Sequence, residues 1–151
     1  MSALAPTVDS LTFTTTQEIH VRASLQNAFE ALLEEMGPAN VSHQATPTPM
    51  PMTIEPLPGG RWFRDLGDGN GHLWGHVQAI RKFTLLEITG PLFMSNAVVN
   101  NLQYRLKEAD GGTLITLRHT ALGFIPPDYK KGLGEGWTDL LERAKKNAES
   151  R

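Results

Sequence analysis

Residues 98–122 read VVNNLQYRLKEADGGTLITLRHTAL, and the way this stretch must pair decides the fold. Asp110-Gly111-Gly112 supplies what a tight reversal needs, so its flanks, Val98 to Glu108 and Thr113 to Leu122, are read as a β-hairpin. Side chains alternate across a strand. Val98, Asn100, Leu102, Tyr104 and Leu106 therefore share one face of the first arm. On the second arm Ile115, Leu117 and His119 share a face, with Leu114, Thr116 and Arg118 opposite. Hairpin neighbours make the sheet antiparallel.

Upstream of the hairpin, Pro58-Gly59-Gly60, the GDGNG run at 67–71 and Gly90-Pro91 mark breaks between further strands at Met52 to Leu57, Arg61 to Leu66, His72 to Ile80 and Thr84 to Thr89. Earlier still, the β-branched segment Leu11 to Ala23 predicts a first strand. Ser24 stands where an N-cap belongs, and Leu25, Ala28, Phe29, Leu32, Leu33 and Met36 recur at helical spacing until Gly37-Pro38 stops the run. Ala39 to Pro51 is either a short second helix near Asn40 to Gln44 or an irregular connection. Downstream, Leu133, Trp137, Leu140, Leu141, Ala144 and Ala148 mark one face of a long C-terminal helix, with acids early and bases late along it. Gly132, Gly134 and Gly136 near its start either leave room beside Trp137 or belong to a loop that delays the helix, the second reading being preferred. The order strand, helix, strands, helix, with no βαβ alternation, gives an α+β class: one curved antiparallel sheet of six to seven strands wrapped around one long helix. Residues 1–10 are read as a loose tail and 11–151 as a single domain.

The 151-residue length suits one domain, which at this size buries about 70% of its unfolded surface. The absence of cysteine excludes disulfides, thiol catalysis and cysteine metal sites, and fits a cytoplasmic location. With a net charge of -2 there is no global attraction for nucleic acid, and no apolar run is long enough to span a membrane. His72 and His76 lie four apart, but in a strand that spacing separates their Cα atoms by about 13 Å, so no metal site is assigned. The GDGNG run is followed by a strand rather than a helix and is read as a hairpin loop, not a phosphate cradle. No cofactor is expected.

Several segments, in order, carry a family resemblance: ASLQNAFEAL at 23–32, PGGRWF at 58–63, GHLWGHVQAI at 71–80, GGTLITLRHTALG at 111–123 and GEGWTDLL at 134–141. Together they resemble the START-like (SRPBCC) superfamily, in particular the branch of activator-of-heat-shock-ATPase homologues grouped with polyketide cyclases and pollen-allergen proteins. The resemblance implies the helix-grip fold, in which the C-terminal helix closes a concave sheet over an apolar cavity, and a role in binding lipophilic small molecules. Relatives often carry a tryptophan in a second helical segment after the first helix. Here that stretch is GPANVSHQATPTPMP, residues 37–51, so the cavity wall is expected to differ there.

On this reading the candidate ligand-binding residues are His119, Tyr104, Leu117, Ile115, Leu102, Asn100, Trp137 and Met52. His119 either orients a ligand or acts as acid/base within an apolar cleft, or is a structural histidine bonded to a neighbouring strand or to the C-terminal helix. Trp74 is read as core or dimer surface rather than cavity wall. Met36, Met50, Met52 and Met94 suit a pliable pocket and equally a plain core. Three functions stand side by side: a binding module for an apolar small molecule, with no reaction assigned; a cyclase- or dehydratase-like enzyme using His119; and an interaction module, either a chaperone partner or a homodimer through Trp74 and the outer sheet.

Overall fold

The computed structural model describes residues 7–42 and 46–151. Strand β1 (Thr12–Val21) leads through Ser24 into helix α1 (Leu25–Met36); β2 (Thr53–Ile54), β3 (Arg61–Gly67), β4 (Asn70–Arg81), β5 (Leu85–Gly90), β6 (Val98–Ala109) and β7 (Gly112–Gly123) follow, and α2 (Pro127–Glu149) ends the chain. All strands join one 7-stranded antiparallel sheet in the order β1-β7-β6-β5-β4-β3-β2. Consecutive strands are neighbours throughout, except that β1 closes against β7. The expected hairpin turns about Asp110-Gly111, both at positive φ, with Ala109 facing Gly112.

Local chemistry accounts for the helix ends. Ser24 accepts the Asn27 N–H at 3.1 Å, and Gly37 closes the other end of α1 with its N–H on the Glu34 carbonyl at 3.1 Å. Helix α2 starts earlier than expected. Pro127 sits at its first position, where a preset φ favours helix and no N–H is missed, so Gly132, Gly134 and Gly136 fall inside the helix and not in a preceding loop. The glycine-rich turn is held from outside: Gln17 of β1 donates from Nε2 to the Gly134 carbonyl at 2.8 Å and accepts the Thr138 hydroxyl at 2.8 Å. One open alternative is decided in favour of the irregular connection, and one strand needs correction. Asn40 to Ser42 is not helical: the connection is irregular and tied by a bridge between Val41 and Pro49, while His43 and Gln44 lie outside the described residues. The strand expected over Met52 to Leu57 shrinks to Thr53–Ile54, because Pro51 and Pro56 on either side carry no N–H for the ladder. Within the segment read as a tail, Thr7 and Ser10 exchange hydrogen bonds ahead of a 3₁₀ turn at Asp9–Leu11.

The core lies between the concave sheet face and the two helices. Leu102, Tyr104, Ile115 and Leu117 from the central hairpin meet Phe29 and Leu32 of α1 and Leu141 and Ala144 of α2. The α2 positions predicted to be apolar, Leu133, Trp137, Leu140, Leu141, Ala144 and Ala148, are all buried. The helices are clamped by Glu35, which is buried, accepts the Asn147 amide at 2.9 Å and lies 3.3 Å from Arg143 Nε. Where β4 and β5 approach closely, Gly75 and Gly90 oppose one another; a Cβ on Gly90 would lie 2.5 Å from the Gly75 Cα, and one on Gly75 would lie 2.8 Å from the Thr89 carbonyl oxygen, so both positions require glycine.

Because Ser24 is exposed and its cap bond is local, Ser24→Ala is expected to cost about 1 kcal/mol without altering the fold, read as a lower urea midpoint at unchanged m-value. An unchanged midpoint would show that the cap carries no stability.

Candidate functional site

Between the first half of α2 and the β3–β4 end of the sheet lies a cavity of about 550 Å³. Its walls follow from two periodicities. On α2, Tyr129, Gly132, Leu133, Gly136, Trp137 and Leu140 recur at steps of three and four and face it as one stripe. Across from them alternate residues of β3, Trp62, Arg64 and Leu66, and of β4, His72 and Trp74, face the same space, because Arg64 and His72 are paired in the ladder. Asn40, Val41, Ser42 and Met50 from the irregular connection, with Phe93, complete the wall.

The chain has three tryptophans, and all of them line this cavity. Each indole N–H already has a protein acceptor: Trp62 donates to the Met36 carbonyl at 2.8 Å, Trp74 to His72 Nδ1 at 3.2 Å and Trp137 to His119 Nδ1 at 3.0 Å. The rings interlock edge to face, with Trp62 and Trp74 centroids 5.0 Å apart, Trp74 and Phe93 at 5.7 Å, and Phe93 and Tyr129 at 6.1 Å. Trp74, expected in the core or on a dimer surface, is buried with only 8% of its surface exposed and forms cavity wall. No outer-sheet patch is built on it.

Of the residues expected to bind ligand, only Trp137 lines the cavity. Ile115, Leu117, Leu102 and Met52 are buried in the core, packed on their neighbours rather than on the cavity. His119 and Asn100 are fully buried and bonded to each other, His119 Nε2 to Asn100 Oδ1 at 2.7 Å. An indole N–H only donates, so His119 Nδ1 accepts from Trp137 and the ring proton sits on Nε2, donating to Asn100. The Asn100 amide in turn donates to the carbonyls of Gly90 at 3.1 Å and Pro91 at 3.2 Å. Both imidazole nitrogens are thus occupied by the C-terminal helix and a neighbouring strand, and His119 is a structural histidine. Burial pushes its pKa down from 6.5 to about 4, so the ring is neutral at physiological pH. Tyr104 is fully buried and does not line the cavity; its hydroxyl has no hydrogen-bond partner among the described residues, and burial raises its pKa.

The residues missed by sequence reasoning are Arg64, His72, Phe93 and Tyr129, together with the cavity-facing role of Trp62 and Trp74. Their signal was the alternation Trp62-Arg64-Leu66 opposite His72-Trp74, which becomes visible only once the β3–β4 register is known. Among the described residues no helix is long and apolar enough to cross a membrane.

No family model matches the sequence, and no curated protein matches it either. Solved structures do match its fold. Ara h 8.0201 superposes with a TM-score of 0.66 at 14% identity, covering 93% of this chain and 99% of that one. An uncharacterised protein from Rhizobium leguminosarum gives 0.69 at 15% identity, covering 93% and 96%. The di-domain ARO/CYC StfQ from the steffimycin biosynthetic pathway gives 0.66 at 16% identity; 95% of this chain matches 53% of that one, so the chain spans about half its length. These likenesses show the fold alone, the helix-grip fold.

The neutral His119 ring makes a pH prediction. The unfolded chain takes up a proton at this residue near pH 6.5 and the folded chain only near about 4, so its contribution to stability is complete above pH 6.5 and declines as the pH falls towards about 4. Imidazole NMR signals of His119 should hold the Nε2–H tautomer down to that lower pH. Titration near 6.5 in the folded protein would show that the ring is not sealed.

Proposed function

We propose that this protein binds an apolar, ring-containing small molecule in the cavity between α2 and the β3–β4 arm. The observation that carries the reading is the concentration of Trp62, Trp74 and Trp137 in one concave wall with their indole N–H groups already bonded, which leaves that wall apolar towards an occupant. Leu133, Leu140 and Met50 add adaptable apolar wall, and Gly132 and Gly136 keep the α2 stripe low where side chains would otherwise fill the space. The volume suits a molecule of drug-like size. The neighbour from a biosynthetic pathway, an ARO/CYC, supports small-molecule handling by analogy of fold alone.

An acid/base role for His119 in a cyclase- or dehydratase-like reaction loses its support here. The ring lies outside the cavity lining with both nitrogens engaged, so it has no free lone pair or proton to offer a substrate.

Titration with the uncharged dye phenylnaphthylamine should raise dye emission and quench intrinsic tryptophan emission together, since every tryptophan faces the cavity. A Cβ at Gly132 meets no atom within 4 Å, so Gly132→Leu projects into open cavity. Dye affinity is expected to fall at least about tenfold. The urea midpoint should hold or rise, because glycine costs about 1 kcal/mol inside a helix. Dye that binds Gly132→Leu as tightly as the parent would place binding elsewhere.

A further inference from the structure

The cavity wall is mostly apolar, and its charged side chains are Arg64, Asp128 and Arg143. Most arginines near acids in this protein are engaged: Arg61 with Glu55 at 2.9 Å, Arg143 with Glu35 at 3.3 Å, and Arg151 with Glu30 at 3.6 Å and with Glu34. Arg64 is different. It is half-buried in the cavity wall and has neither a hydrogen-bond nor an ion-pair partner among the described residues. Its ladder partner is His72, so the two side chains stand beside each other on the same face, roughly 5 Å apart at Cβ. Trp74 uses His72 Nδ1 as an acceptor, which places the proton of the neutral ring on Nε2 and makes that nitrogen a donor. A guanidinium fork and an imidazole N–H are thus set side by side among tryptophan rings, with no acceptor supplied by the described residues.

We infer that Arg64 and His72 form a carboxylate subsite, and that the natural ligand is an apolar acid: a ring or chain body against the tryptophans with one carboxylate on the Arg64 fork. The inference rests on the cavity reading proposed above. Charge decides the class. Arg143 is paired with Glu35, and Asp128, the one acid among the described lining residues, makes no hydrogen bond or ion pair with Arg64, so the Arg64–His72 pair offers one unpartnered cation beside one neutral donor. A monoanion matches that. A phosphate dianion would overcompensate Arg64 and face Asp128, an amine would be repelled by Arg64, and a neutral amide would leave the charge unanswered. The planar fork accepts a carboxylate through two parallel N–H bonds, the geometry that distinguishes arginine from lysine.

Four probes sharing one naphthalene ring, namely naphthoate, naphthamide, naphthyl phosphate and naphthylmethylamine, would be titrated against the protein at low salt, with tryptophan quenching as the readout. Naphthoate should bind about tenfold more tightly than naphthamide, as a charge-assisted contact in a half-buried site requires, and both should exceed the phosphate and the amine. Arg64→Met should bring naphthoate down to the amide's affinity while leaving naphthamide within about twofold, and Arg64→Lys should retain an intermediate preference. Equal binding of acid and amide by the parent protein, a preference for acid that survives in Arg64→Met, or tighter binding of the phosphate would each overturn the carboxylate subsite. The neutral amide reports the cavity by itself. Failure of every probe to bind would overturn the cavity reading and the subsite with it, whereas failure of the subsite alone leaves amide binding intact.

Discussion

Everything that makes a cavity possible here depends on the buried hydrogen-bond chain from Trp137 through His119 and Asn100 to the carbonyls of Gly90 and Pro91. It ties together α2, β7, β6 and the end of β5 by directional bonds that add to their shared hydrophobic packing. Each link is directional. An indole only donates, the histidine must therefore accept on one nitrogen and donate from the other, and the asparagine amide must turn its carbonyl inward. A break at any point strands a buried polar group, which costs about 1–3 kcal/mol. The chain thereby sets the angle at which α2 sits above the sheet, and so turns the Gly132, Leu133, Gly136 and Leu140 stripe towards β3 and β4.

The same logic explains the cavity's chemistry. Tryptophan normally brings one polar atom into any site it lines, yet all three here spend that atom on the protein. Their faces are left purely hydrophobic, and the edge-to-face contacts from Trp62 through Trp74 and Phe93 to Tyr129 make one continuous aromatic wall. Polarity among the described lining residues comes from Arg64, His72, Asp128, Tyr129 and Arg143 and from the edges contributed by the 40–42 segment. Selectivity therefore rests on few groups, and shape on many.

Most of the fold was legible because it is written in local periodicity. The Asp110-Gly111-Gly112 turn, the Ser24 cap and the apolar stripe of α2 each announce themselves within a dozen residues. The start of α2 was misread because propensity speaks against three glycines in a helix, whereas tertiary bonds from Gln17, over a hundred positions away, hold them there. The candidate site was legible only at Trp137. Alternation identified His119 and Tyr104 as facing inward, which they do, but facing inward and facing a cavity are different properties. Which part of a concave face is left uncovered depends on where α2 rests, and that position is set by side-chain bonds between distant segments.

Strand β1 pairs with β7 from Thr12 opposite Leu122 to Val21 opposite Thr113, while β2 to β6 pair in simple succession. On the ribosome this gives the molecule a definite order of assembly. The β3 to β6 meander, with its tryptophan-bearing arm, has its partners as soon as it emerges, but β1 waits with an unpaired edge until β7 has been made. Helix α2, which follows β7, arrives on a sheet whose other edge has only just been completed. The aromatic wall is therefore uncovered along its entire α2 side until this segment is translated, so an apolar occupant can reach it before the helix settles as well as through the opening left afterwards.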